Sequence, residues 1–162
     1  MGVFGLGELG PGGWDAGKAV GMETVPCAKP RQATGEVDGY PRIPLDELLP
    51  KVDVLSLHCL LTDDTRNMIG ARELKMMKKE ALLINTSRGG LVDEQALADA
   101  LRAGTIGGAG FDVLTEEPPR NGNALLADDI PNLIVTPHSA WASREARQRI
   151  VDITARNLSS LV

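Results

Sequence analysis

Short apolar runs alternate with segments of helical periodicity along the chain. The predicted strands cover residues 3–6, 24–27, 52–57, 82–85, 109–113 and 133–135. Several of these runs are continuously apolar, which is typical of strands that are buried on both faces of a parallel sheet. Because strands alternate with helices, the pattern predicts an α/β fold, with a doubly wound parallel sheet in a single domain over residues 1–162.

Two helices stand out in the same pattern. Asp93 is placed to cap the first, Val92 and Leu97 can form a hydrophobic staple, and Gly104 follows its end. The second is predicted to run from about Ser143 to the end of the chain. Its apolar stripe consists of Ile150, Ile153, Leu158 and Leu161. Residues 116–131, which are rich in Pro, Gly and Asn, predict a surface loop.

A glycine pattern, Gly5-Leu6-Gly7-Glu8-Leu9-Gly10, follows the first predicted strand. In this context the first glycine makes the strand-to-helix turn, and the second lets a pyrophosphate approach the backbone. The third allows the helix to pack close to the strand, so that N–H groups at the helix start face the phosphates. A glycine-rich turn without a ligand has the same pattern. Together with the alternation of strands and helices, the pattern predicts a Rossmann-type dinucleotide site.

The helix that should follow this turn has an unfavourable composition. Glycines at positions 12, 13 and 17 each cost roughly 0.5–1 kcal/mol relative to alanine in a helix. We therefore expect this helix to be short, frayed, or held only by the packing of Trp14 and Val20.

Composition narrows the class of protein. The 162 residues are 43% hydrophobic and carry a net charge of −5, which does not favour a nucleic-acid surface. No apolar run approaches the roughly 20 residues of a membrane span. Cys27 and Cys59 are too few for a disulfide framework and suggest reduced thiols in a cytoplasm. The usual spacings of zinc ligands are absent, so no metal site is predicted.

Three further segments carry chemistry: NTSRGGLVDE at 85–94, FDVLTEEP at 111–118 and TPHSAW at 136–141. With the glycine pattern, they resemble in order and spacing the nucleotide-binding domain of the D-2-hydroxyacid dehydrogenases, of the glycerate dehydrogenase or hydroxypyruvate reductase type. The resemblance implies an oxidoreductase that transfers a hydride between NAD(P)H and a small 2-keto or 2-hydroxy acid, such as hydroxypyruvate or glyoxylate.

The resemblance also implies three catalytic residues. Arg88 would orient the substrate carboxylate, because a planar guanidinium can bind two oxygens at once. His138 would give a proton to the carbonyl oxygen, and Glu117 would hydrogen-bond the imidazole and keep it protonated near neutral pH. Taken singly, each residue has an ordinary loop role as an alternative.

Asp112 resembles the residue that binds the nicotinamide carboxamide, with strand termination as its alternative. For His58, Cys59, Thr65, Thr86 and Ser87, a core or turn role is as plausible as cofactor contact. The predicted cofactor contacts are Gly5, Gly7, Glu8, Leu9, Gly10, Lys29, Arg31, His58, Cys59, Thr65, Thr86, Ser87, Arg88, Asp112, His138 and Ala140.

The choice between NAD and NADP stays open in the sequence. No acidic residue ends the second predicted strand, where one would bind the adenosine ribose and select NAD. Lys29 and Arg31 could instead meet a 2′-phosphate, or they could form a solvated basic loop.

The resemblance covers only the nucleotide-binding part of such enzymes, and the substrate domain is absent from these 162 residues. We therefore expect weak or no turnover from the chain alone. A non-catalytic dinucleotide-binding module is one alternative. Another is a fragment without either activity that associates through its apolar surface, and a homodimer stays open.

Overall fold

The computed structural model of the chain describes residues 1–7, 10–28, 35–37 and 40–160. Its main sheet consists of six parallel strands, which are β1 (Gly2–Phe4), β2 (Val25–Cys27), β5 (Val54–Leu57), β6 (Leu82–Asn85), β7 (Gly108–Phe111) and β8 (Leu133–Val135). They lie in the order β2-β1-β5-β6-β7-β8. The predicted α/β fold is confirmed, and each of the six predicted strands is present with ends that differ by at most two residues.

Two strands and two helices of the described residues were not predicted. An antiparallel hairpin consists of β3 (Gly35–Val37) and β4 (Tyr40–Arg42), and a parallel bridge between Cys27 and Ile43 brings the chain alongside the outer edge of β2. Helices α2 (Leu45–Leu48) and α3 (Ala71–Met76) follow. The two helices, of four and six residues, span fewer than two turns, and the two strands, Gly-Glu-Val and Tyr-Pro-Arg, contain no apolar run, so the hydrophobic pattern does not identify them.

The connectivity reverses around β1, which is paired with β2 on one side and β5 on the other. A reversal of this kind opens a crevice beyond the carboxyl ends of the two strands where the order reverses, β1 and β5. The sheet below the crevice is held by fully buried side chains, among them Phe4, Leu55, Leu57 and Leu83. The carboxyl ends of the strands are therefore the expected ligand-binding side of the sheet.

Helix α1 (Gly10–Ala19) forms over ten residues despite its glycines. Trp14 is buried, and the Lys18 ammonium lies 4.8 Å from the centre of its ring. Val20 is 71% exposed, so the expectation that it holds the helix was wrong. The glycines themselves explain the packing, because a Cβ at Gly13 or Gly17 would collide with the side chains beneath the helix.

Helix α4 (Glu94–Arg102) confirms its predicted signals. The Asp93 carboxylate accepts a hydrogen bond from Ala96 N at 3.0 Å, and both Val92 and Leu97 are buried. Gly104 has a φ of +63°, as expected for a glycine just past a helix end.

The last predicted helix is present as α5 (Arg144–Ser159), and Ser143 caps it, yet none of its residues is buried. Ile150, Ile153 and Leu158 are each more than 40% exposed, while Leu161 lies outside the described residues. The predicted stripe therefore exists without a partner in the described part of the chain. The predicted loop at 116–131 contains one short 3₁₀ turn, Ala124–Leu126.

Candidate active site

The turn after β1 has the conformation that a dinucleotide site requires. Gly5 has a φ of +99°, and a Cβ there would lie 2.8 Å from the backbone nitrogen of Cys59. A Cβ at Gly10 would overlap the carbonyl oxygen of Gly5. At Gly7, by contrast, no described atom beyond the chain neighbours would lie within 4 Å of a Cβ. The open backbone at Gly7 fits the close approach of a pyrophosphate. Glu8 and Leu9 lie outside the described residues.

His58 and Cys59, which follow β5, line the base of this crevice. The imidazole Nε2 of His58 lies 2.9 Å from Ser56 Oγ and directly under Gly13 of α1. Burial lowers the pKa of His58 below its usual value, so a neutral ring is favoured there. Cys59 is buried, and burial, aided by the proximity of Cys59, raises the pKa of Cys27 to about 12. These residues support the turn from below.

The Thr65 hydroxyl is occupied within its own loop. It accepts a hydrogen bond from Thr62 N at 2.8 Å and donates one to Leu60 O at 2.8 Å. Its side chain is buried. The structure therefore gives Thr65 a turn role, and a contact with cofactor stays a prediction.

Arg88 projects from the loop that follows β6. The loop is shaped by Asn85, a fully buried side chain that donates to Arg88 O at 2.9 Å and accepts from Ser87 N at 3.1 Å. The Arg88 guanidinium is exposed and donates one hydrogen bond to Ser87 O at 2.7 Å. The other four of its five N–H groups have no hydrogen-bond partner among the described residues and can donate to a ligand. Thr86 is exposed beside it.

Glu117 and His138 meet although they are 21 residues apart. His138 Nδ1 lies 2.6 Å from Glu117 Oε2, and Leu114 N donates to Glu117 Oε1 at 2.7 Å. Partial burial raises the pKa of Glu117, but the hydrogen bonds from Leu114 and His138, with the charges of His138 and Arg88, together hold it below its usual value. The carboxylate is therefore ionised, and it faces the imidazole with Arg88 nearby.

Asp112, the residue after β7, fixes the loop that carries His138. Its buried carboxylate accepts from Thr136 Oγ1 at 2.5 Å, from Ser139 N at 2.9 Å and from Ala140 N at 2.9 Å. Burial raises the pKa of Asp112, but these hydrogen bonds outweigh it and hold the pKa below its usual value. His138 is held with a φ of +51°, an unusual conformation for a residue with a side chain. The Ala140 N–H is thus occupied by Asp112.

The structure thus brings Arg88, Glu117 and His138 together at the carboxyl edge of the sheet, as predicted. Lys29 and Arg31 lie outside the described residues. Two residues that shape the site were not singled out from the sequence, Asn85 and Glu94. Asn85 could have been recognised as an amide side chain at the end of an apolar strand. Glu94 could have been recognised as an acidic residue in the first turn of a capped helix.

The parallel sheet with its glycine-rich turn after β1 is the fold of a dinucleotide-binding domain. A model of the family described as D-isomer specific 2-hydroxyacid dehydrogenase, NAD binding domain, matches residues 1–140. The chain belongs to this family, and the resemblance inferred from its motifs is confirmed.

Relatives with established names agree with this membership. The chain is 48% identical over 165 residues to a glycerate dehydrogenase of Methylorubrum extorquens, with 100% of this chain and 49% of that protein covered. It is 42% identical to a glyoxylate reductase of Aeropyrum pernix, covering 98% of this chain and 47% of that one. The chain thus spans about half the length of the curated relatives it matches.

Solved structures give the same result. An acyclic imino acid reductase in complex with NADPH and D-Arg superposes with a TM-score of 0.86 at 34% identity, over 99% of this chain and 50% of that one. A D-lactate dehydrogenase with NAD⁺ from Lactobacillus jensenii superposes with a TM-score of 0.84 at 33% identity, over 99% and 51%. Among the described residues, no helix combines the length and the apolar character needed to cross a membrane.

Proposed function

We propose that this chain is the nucleotide-binding half of a dehydrogenase that reduces a small 2-keto acid, of the hydroxypyruvate or glyoxylate kind, with NADH or NADPH. The observation that carries the proposal is the 2.6 Å contact between His138 Nδ1 and Glu117, with the Arg88 guanidinium beside it. Relatives named glycerate dehydrogenase, hydroxypyruvate reductase and glyoxylate reductase support the substrate class.

Each residue has a definite task in this reaction. A bound reduced nicotinamide cofactor supplies the hydride. Because Glu117 engages Nδ1 of His138, Nε2 is the ring nitrogen that gives a proton to the keto oxygen of the substrate. Arg88 holds the substrate carboxylate through the N–H groups that its own loop leaves unused. Glu117, as an anion, accepts the hydrogen bond from Nδ1 and so orients the ring.

The open turn at Gly7 is where the cofactor pyrophosphate would lie. Gly5 and Gly10 shape the turn, and Asp112 holds the loop that carries His138. We further propose that polypeptide outside these 162 residues completes the substrate pocket, since the relatives are about twice as long. A water-excluded site needs that second wall.

Cofactor binding is tested by titrating the purified chain with NADH and with NADPH, followed by calorimetry. We expect saturable binding that Gly7→Val abolishes, because the new side chain fills the space open to the phosphates. Ala16→Val, at an exposed position of α1, is the matched control and should bind as the unchanged chain does. Equal affinity in Gly7→Val would refute the phosphate turn.

The cofactor preference has its own test. Replacing Lys29 and Arg31 with alanine should weaken NADPH binding and leave NADH binding unchanged if they meet the 2′-phosphate. A parallel loss for both nucleotides would mean that the two residues only attract negative charge.

Catalysis is tested by measuring hydroxypyruvate and glyoxylate reduction by protein that includes the polypeptide proposed to complete the substrate pocket. We expect His138→Gln to reduce turnover by at least about 100-fold, the usual contribution of a positioned acid, with cofactor affinity unchanged. Arg120→Gln, at an exposed position in the loop between β7 and β8, is the control. Turnover that survives in His138→Gln would remove the proton-donor role, and nucleotide binding without turnover in protein that includes the polypeptide completing the pocket would favour the non-catalytic module.

A further inference from the structure

The segment that carries Glu117 is a long loop, and its precision needs an explanation. Between β7 and β8 the regular structure among the described residues is the single 3₁₀ turn Ala124–Leu126. Nevertheless, Glu117 meets His138 at 2.6 Å. A loop of this kind holds such a geometry only when other elements fix its backbone.

Glu94, in the first turn of α4, contacts this loop at two separated points. Its Oε1 accepts a hydrogen bond from Thr115 N at 2.8 Å, and its Oε2 accepts one from Asn123 Nδ2 at 2.7 Å. The two contacts flank Glu117 in the sequence. One carboxylate thus ties both arms of the loop to the start of a helix that belongs to the core.

The far contact has a fixed orientation. Asn123 Oδ1 accepts from Leu125 N at 2.9 Å, so its NH₂ group must be the part that faces Glu94. Leu125 is buried in the core and anchors the turn. The near contact is equally constrained, because a Cβ at Gly89 would overlap the backbone of Leu114 and Thr115. The loop therefore lies directly against the Arg88-Gly89 turn.

The near contact leads directly to the proposed acid–base pair. Thr115 N donates to Glu94, and the preceding amide, Leu114 N, donates to Glu117 at 2.7 Å. The two peptides share the Cα of Leu114, so holding one in place restricts the orientation of the other to the two dihedral angles of that residue. A hydrogen bond to a carboxylate is about twice as strong as one between neutral groups, which suits a restraint on an exposed loop.

We propose that Glu94 is a positioning residue that holds the Glu117 loop in the conformation in which Glu117 meets His138. Its catalytic consequence rests on the proposed function, whereas its effect on the loop does not. We call the contacts of Glu94 with Thr115 and Asn123 the Glu94 clamp.

An exchange of the two partner groups tests the clamp. Glu94→Gln brings an NH₂ group against a donor, either Asn123 Nδ2 or Thr115 N, whichever way the amide turns. Asn123→Asp brings two carboxylates together. The double variant Glu94→Gln with Asn123→Asp restores one donor and one acceptor, while the new carboxylate at position 123 still accepts from Leu125 N. Each single variant should therefore lose a contact of the Glu94 clamp, and the double variant should regain it.

The first readout is hydrogen exchange of the Leu114 and Thr115 amides in this chain. We expect each single variant to exchange both amides about tenfold faster, which corresponds to about 1.4 kcal/mol, and the double variant to approach the unchanged chain. Lys78→Gln is the control. It removes the exposed ion pair with Asp53, which lies outside the loop between β7 and β8, and should leave both amides unchanged.

The outcomes separate cleanly. Faster exchange at Thr115 alone, with Leu114 and Glu117 unaffected, would overturn the proposal, and so would a double variant no better than the singles. In protein that reduces hydroxypyruvate, we expect Glu94→Gln to lower kcat with little change in the KM for NADH, and the double variant to recover it. If protein that includes the polypeptide proposed to complete the pocket shows no turnover, the proposed function fails, but the amide exchange still decides the clamp.

Discussion

The two halves of the same sheet edge are built by different means. Around the turn after β1, close packing is possible because side chains are absent. Gly10, Gly13 and Gly17 lie on the face of α1 that approaches the strands. Around Glu117 and His138, the backbone is held by polar side chains, since Asn85, Glu94 and Asp112 occupy amide and carbonyl groups of the loops.

The difference has a functional logic. A phosphate site needs free backbone N–H groups and room for the ligand, and side chains there would compete for both. An acid–base pair needs side chains at a fixed distance, and loops that carry them need restraints. We therefore expect the first region to tolerate changes in polarity but not in volume, and the second to show the opposite tolerance.

The largest effect is expected for Gly10→Ala. Its Cβ would overlap the Gly5 carbonyl, which is backbone and cannot turn away. We expect the free energy of unfolding to fall by about 3 kcal/mol, the upper range for an overpacked core position. Urea unfolding at neutral pH measures it, and a loss below about 1 kcal/mol would show that the turn can shift.

A smaller effect is expected for Asp112→Asn, which preserves volume. Whichever way the amide turns, its NH₂ group faces one of the two backbone donors that now meet the carboxylate, Ser139 N or Ala140 N. We expect a loss of about 2 kcal/mol in unfolding free energy, typical of hydrogen bonds to a charged group. Asp129→Asn, at the exposed end of an ion pair, is the control and should leave the urea midpoint unchanged. Similar midpoints for both variants would contradict the restraint.

Gly12→Ala should have a modest effect of opposite sign. Beyond the chain neighbours and the backbone of α1 itself, no described atom lies within 4 Å of a Cβ there, so the helix gains alanine's propensity without a clash. We expect the unfolding free energy to rise by about 0.5 kcal/mol. Destabilisation of the kind expected for Gly10→Ala would mean that α1 rejects any side chain, and the packing face would not be specific.

The finest test is the acid dependence of Asp112. Its pKa in the folded protein lies below the usual 3.8, so its contribution to stability is present above that value and is lost as the pH falls through the folded pKa. The stability difference between the unchanged chain and Asp112→Asn should therefore be constant from about pH 5 to about pH 7 and shrink below about pH 4. A difference that grows on acidification would reverse the assigned sign.

Much of this was predictable because the signals are local. Asp93 and Gly104 mark the ends of α4 through hydrogen bonds and conformation within a few residues, and both predictions are confirmed. The predicted meeting of Glu117 with His138 came from motifs at strand ends, and the structure places them in contact. The glycines of α1 were misjudged, because helix propensity describes a helix in isolation and cannot include what lies beneath it.

By itself, then, the sequence determined the succession of strands along the chain, the capped helix and the segments that carry the chemistry, because periodicity and turn preferences act over neighbouring residues. Only the tertiary structure decided that Gly10 must lack a side chain and that Glu94 belongs to the Glu117 loop. It also showed that the stripe of α5 is uncovered in the described chain. These features depend on contacts between residues far apart in sequence, whose distances no local pattern encodes.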